Sequence, residues 1–167
     1  MEAYKHTDYM QTVAERLTDI LHSPKKKAFA EATTLNLLEG LTESIGTLHY
    51  PCLVIIDDFT IRLTDNRSDN LIKTPYYQFA ILMRANVNDV ASQRKAREDA
   101  EAICDKVLSR MFRDQRARTN GLTYLQRDGI RFEGLGPLAD GVCGCMVSFT
   151  LTKPAGIVYD SNDWTDG

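Results

Sequence analysis

The spacing of apolar positions changes along this chain, and each change predicts an element. Met10, Val13, Ala14, Leu17, Ile20 and Leu21 recur at i, i+3, i+4 and i+7, while Asp8, Glu15, Arg16 and Asp19 fall elsewhere on the wheel. That pattern predicts an amphipathic helix over residues 7–22. Ser23-Pro24 ends it, because the residue before a proline is pushed out of the α region. Between 28 and 48, Leu35, Leu38, Leu41, Thr42 and Ile45 fit a helical face that Gly40 and Gly46 oppose. A helix from about Leu35 to Ser44 is predicted, with an extended segment from Phe29 to Leu37 as the alternative.

Residues 51–58 are a continuous apolar run bounded by Pro51 and by Asp57-Asp58, which predicts a strand buried on both faces. Phe59 to Thr74 reads as a polar excursion, too long for a tight hairpin and most mobile at Asn66 to Asn70. Residues 76–85 are rich in β-formers and predict the next strand. Asn88 or Ser92 then caps a long helix whose stripe is Ala96, Ala100, Ile103, Cys104, Val107, Leu108, Met111 and Phe112. Glu98, Asp99 and Glu101 precede Arg110, Arg113, Arg116 and Arg118, an order that suits the helix dipole, and Asn120-Gly121 terminates it. Two strands follow: Ile130 to Leu135, after a turn at Asp128-Gly129, and Val142 to Lys153, where Val147, Phe149 and Leu151 alternate with polar residues.

The fold class predicted is α+β: an antiparallel or mixed sheet of about four strands packed by a long helix, with an N-terminal helix. Residues 1–153 make a single domain and 154–167 a polar C-terminal tail.

Composition narrows the picture without naming an activity. The 167 residues are 43% hydrophobic and 26% charged, ordinary globular usage, which excludes collagen and global disorder. A net charge of -3 argues against a dedicated duplex-nucleic-acid binder. No apolar run approaches the roughly 18 residues of a membrane span, and MEAYKHTDYM is too polar for a secretory signal. A cytoplasmic protein is expected.

Candidate chemistry is sparse. Cys52, Cys104, Cys143 and Cys145 read as buried small hydrophobes, and His6, His22 and His49 lack the spacing of metal ligands. Asp57-Asp58 ends a strand as in P-loop ATPases, but no phosphate-cradling G-x-x-x-x-G-K-[ST] accompanies it. No helix opens after Gly134-x-Gly136, so those glycines aim no amides at a phosphate. Lys25-Lys26-Lys27 is either an anion-binding patch or a solvated connection, and Arg110 to Arg118 is either a nucleic-acid contact or a solvated last turn. No catalytic residue, cofactor site or metal site is predicted, so the chain is expected not to be an enzyme.

What remains is surface. Tyr76 and Tyr77 are adjacent in a strand and must point to opposite faces, so only one of them is in any single core. Trp164 stands in a polar tail as a latch on its own domain or a hook into a neighbour. The interface candidates are Arg62, Arg67, Lys73, Tyr76, Tyr77 and Trp164.

The stretch from Gly134 to Pro154, Gly-Leu-Gly-Pro-Leu-Ala-Asp-Gly-Val-Cys-Gly-Cys-Met-Val-Ser-Phe-Thr-Leu-Thr-Lys-Pro, resembles the end of small phage tail-completion and tail-terminator proteins. There, too, a turn leads into a final alternating strand. The following Tyr159-Asp-Ser-Asn-Asp-Trp164 looks like tails of prophage proteins. The element order agrees over about two-thirds of the chain, although the N-terminal helix is extra. The resemblance implies a non-enzymatic, homo-oligomeric ring at the tail end or head–tail joint, bound to tail-tube or head-joint proteins. It further implies DNA passing through without sequence recognition, and location in the virion after assembly in the cytoplasm. The alternatives are a small intracellular binding module of a mobile element, or an enzyme whose site is built from distant residues.

Overall fold

The computed structural model describes residues 3–39, 47–65, 67, 70–138 and 141–165. In chain order the elements are α1 (His6–Arg16), β1 (Phe29–Ala32), α2 (Thr34–Glu39), β2 (Cys52–Asp65), β3 (Leu71–Arg84), α3 (Val90–Ala117), β4 (Leu125–Leu138), β5 (Val142–Leu151) and β6 (Lys153–Pro154). They form an α+β fold around one mixed sheet of order β1-β2-β3-β5-β4, with β6 on β3. Among the described strands, only β1 and β2 run parallel. The sheet has six strands where about four were expected, because β1 and β6 are too short to carry a periodic signal.

Directly opposed residues in an antiparallel pair share a face. By register, Leu53 and Ile55 of β2, Phe79 and Ile81 of β3, and Cys145 and Val147 of β5 therefore line one side. The helix α3 lies over it, with Cys104 Sγ donating to the Cys145 carbonyl at 3.7 Å. Cys52, Val54 and Ile56 with Ala80 and Leu82 line the other side, where α2 packs on β2 and β4. All of these side chains are buried, so the middle of the sheet is covered on both faces, as the continuous apolar run 52–56 predicts. Ile103, Val107, Phe149 and Leu151 are also in this core, and the four cysteines are buried there as free thiols. Among the described residues, no helix is long and apolar enough to cross a membrane.

Several expected boundaries move. The helix predicted over 7–22 stops at Arg16; the chain turns so that Ile20 enters the core, and Leu21 adopts φ 50°. Lys26 of the lysine triplet donates its ammonium to the Ile20 carbonyl at 2.6 Å, satisfying that turn. The segment 28–39 is a short strand followed by a helix that begins at Thr34; the rest of the helix expected to Ser44 lies outside the described residues. The cap of α3 is Asp89, whose side chain accepts from the Ala91 amide, and not Asn88 or Ser92. Asp128-Gly129 is an irregularity within β4 and not a turn before it, since pairing with β5 resumes at Arg131.

Two glycines are fixed by close approach. A Cβ on Gly144 would sit 2.1 Å from the Ile81 carbonyl oxygen of the neighbouring strand. Gly121, at φ +70°, would place a Cβ 2.2 Å from the Tyr4 amide nitrogen. That second contact seats the N-terminal segment. There Tyr4 packs edge-on against Tyr77 at 5.1 Å and Phe149 at 6.2 Å. His6 Nε2 donates to the Gln78 carbonyl, which leaves Nδ1 to accept the Tyr4 hydroxyl, both at 2.9 Å. Burial lowers the His6 pKa below the usual histidine value. The buried Asp114 accepts from Tyr9, Arg110 and Asn120, tying α1 to the far end of α3.

Candidate interaction surface

The largest departure from expectation is in residues 59–74. They are not a loop. β2 continues to Asp65 and β3 begins at Leu71, and the two pair as far as Asp65 opposite Leu71. The result is a two-stranded arm that outruns the sheet. Its root is a bulge: Ile56 faces Gln78 and Thr60 faces Tyr76, so Asp57, Asp58 and Phe59 stand opposite Tyr77 alone. Two extra residues keep the side-chain alternation in phase while bending the strand. Asp58 is also claimed at the root by α2, where its carboxylate accepts from the Thr34 amide and hydroxyl.

Burial changes abruptly at this bulge. Every residue from Cys52 to Ile56 is buried, and every residue from Asp57 to Asp65 is exposed. Phe59 is 84% exposed, and Ile61 and Leu63 are exposed as well. The alternation Phe59, Ile61, Leu63 against Thr60, Arg62, Thr64 is a strand pattern. Ile61 and Leu63 pair with Pro75 and Lys73, so these four side chains share a face; Arg62 pairs with Thr74, and Tyr76 with Thr60, on the reverse.

The two edges of the arm differ. On the β3 side, β5 pairs up to Tyr76 opposite Thr150, and β6 resumes at Lys73 opposite Lys153. Pro75 lies in the gap and has no N–H to give to a ladder. On the β2 side, β1 ends opposite Ile56. Among the described residues, no strand pairs with the outer edge of β2 from Asp57 to Asp65.

After β6 the chain runs toward the arm's tip, and the Ala155 amide donates to the Leu71 carbonyl at 2.8 Å. Beyond it the tail is exposed: Ile157, Val158 (84%) and Tyr159, then a short 3-10 turn at Ser161–Asp163. Trp164 stacks on Tyr159 at 6.2 Å and is itself 59% exposed, so its ring packs within the tail. Asp160 accepts from the Asn162 amide and side chain, and those bonds hold its carboxyl below the usual carboxylate range.

Arg62, Arg67, Lys73 and Tyr76 are thereby brought together on the arm, with Trp164 on the tail that leaves from its tip. None of the three cations forms an ion pair with a described residue. Tyr77 stands apart, half-buried among Tyr4, His6 and Phe149. The expected mobile tip includes Asn66, Ser68 and Asp69, which lie outside the described residues. The surface residues missed from sequence are Phe59, Ile61, Leu63, Ile157, Val158 and Tyr159. Their signal was the alternation over 59–64 and the three adjacent apolar residues of the tail.

A second feature is a cleft of about 420 Å³ between α1 and α3, lined among others by Lys5, Tyr9, Arg16, Lys106 and Arg110. Lys106 pairs with Asp19 and Arg110 with Asp114. The sequence matches no protein-family model. The class that fold and surface define is an α+β protein carrying an exposed, apolar, open-edged hairpin arm.

Proposed function

We propose that this protein works by assembly and not by turnover. Copies associate head to tail and close into a ring, a non-enzymatic component at the end of a phage tail or at the head–tail joint, encoded by a prophage. The observation that carries the reading is the arm: Phe59, Ile61 and Leu63 alternate along a strand that nothing described covers. An exposed apolar strand with a free edge is an aggregation hazard, and it is retained where it has a partner. An arm on one side and a different surface on the other give a heterologous contact, which makes a ring when the rotation closes. A specific contact needs roughly 800 Å² per partner, within reach of an arm plus an edge. The phage setting rests on the resemblance of residues 134–154 and on element order. In that setting the partners are tail-tube or head-joint proteins, and the net charge of -3 does not forbid a channel surface along which DNA slides. Mass measured across a concentration series, with and without tail-tube protein, tests this. The expected result is a discrete oligomer promoted by concentration or by the tube.

A second reading rests on the α1–α3 cleft, where Arg16 is a lining cation without a described ion pair and Lys5, Lys106 and Arg110 are paired with Asp8, Asp19 and Asp114. It makes the protein a small monomeric binding module. A strict monomer that ignores tube and joint proteins favours it.

A further inference from the structure

We propose that the C-terminal segment 156–160 of one copy adds as an extra strand to the open edge of β2, Asp57–Asp65, in the next copy. This inference rests on the assembly reading and specifies its contact. Four observations converge.

First, the acceptor is a real edge: β2 outruns β1 after Ile56, so its outward main-chain groups lack a described strand partner. Main-chain pairing to such an edge is a general mode of peptide capture. Second, the donor is the right kind of segment: Ile157, Val158 and Tyr159 are exposed apolar residues with strand preference, separated from β6 by two residues. Third, charge selects the position along the edge: Asp57 and Asp58 make the root acidic, so Asp160 and Asp163 of the tail fit toward Arg62, with Arg67 and Lys73 elsewhere on the arm and none of the three cations in a described ion pair. Fourth, the donor fits within the acceptor: nine residues of edge span about 30 Å, and five residues of tail occupy about 17 Å of it.

Direction decides between the chain's own edge and a second copy's. The tail is pinned to β3 at Leu71 and heads past the arm's tip. Its own β2 edge lies on the opposite side of the arm, and reaching it requires a reversal around the tip. Val158 is instead 84% exposed. A tail leaving from one edge and an acceptor on the other is the arrangement that propagates from copy to copy.

Full-length Leu63→Cys and Val158→Cys variants test the contact. Both sites are exposed and the four native cysteines are buried, so each variant presents one reactive thiol. Each is purified alone, mixed with the other, and treated with a short bis-maleimide. The expected result is a covalent dimer in the mixture that neither variant gives by itself, and that excess peptide 153–165 suppresses. A dimer from Leu63→Cys alone overturns the inference in favour of arm-to-arm pairing. A cross-link at monomer mass in the doubly substituted chain overturns it in favour of the chain's own tail. Failure is separable from that of the assembly reading by mass: Ile157→Asp/Val158→Asp should weaken association on the order of tenfold or more. If that variant assembles as the wild type does, assembly stands and the tail contact falls; if the wild type never assembles, both fall.

Discussion

One strand, β2, contains two regions made of similar residues that have opposite fates. Leu53, Val54, Ile55 and Ile56 are 3% exposed or less; Phe59, Ile61 and Leu63, a few residues on, are 84%, 41% and 51% exposed. The difference is neighbours. The inner half has β1 and β3 on its edges, and α1 and α2 pack on β2. Among the described residues, the outer half has β3 on one edge and, at its root, Thr34 of α2 bonded to Asp58. Burial within the chain stabilises the fold, and under the proposed assembly the exposure along the arm leaves apolar surface for a partner.

Substitutions in the inner region should have the largest effects. Gly144→Val should prevent normal folding, because the added carbons collide with the β3 backbone at Ile81; loss of the cooperative denaturant transition is the readout. Phe149→Ala and Ile103→Ala should cost about 3–5 and about 2–5 kcal/mol respectively in denaturant titrations, and a loss below 1 kcal/mol would place either residue outside the core. Leu63→Ser and Ile61→Ser should fall within about 0.5 kcal/mol of wild type in dilute solution while weakening self-association. A destabilisation equal to that of Ile103→Ala would erase the distinction between the two halves.

The N-terminal segment sharpens the comparison through pH. Burial lowers the folded pKa of His6, so the unfolded chain holds the extra proton between the folded value and the ordinary 6.5. The contribution of a neutral His6 is fully present above about pH 6.5 and is lost as pH falls below it, by at most about 1.4 kcal/mol per pH unit. His6→Gln should flatten that slope in stability measured from pH 8 to 5. An unchanged slope would assign the pH dependence to other groups.

The inner half was legible in sequence because a continuous apolar run has one economical solution, a strand covered on both faces. The long helix was legible for the same reason, its stripe repeating over 28 residues. The arm was not, because Thr64 to Asn70 is rich in turn formers and drew Phe59 to Leu63 into a loop reading. Alternation over six residues was present, yet with no core to receive it the pattern looked incidental. Similarly, Ile20 keeps helical spacing with Met10 and Val13, and only tertiary packing shows that a turn, and not a helix, delivers it to the core. Arg62, Lys73 and Tyr76 are each legible as surface candidates; that they share one hairpin depends on the register from Thr60–Tyr76 to Asp65–Leu71, which spacing alone does not encode.

Amide hydrogen exchange along β2, followed as a function of protein concentration, tests the central claim most directly. Residues 52–56 should be protected at every concentration, as the core predicts. The amides of residues 57–65 that point away from β3 should exchange rapidly in dilute protein and gain protection as the oligomer forms. Protection of those amides that is the same in dilute and concentrated samples would contradict the account, because the arm would then be a finished part of the fold and not a surface held for a partner.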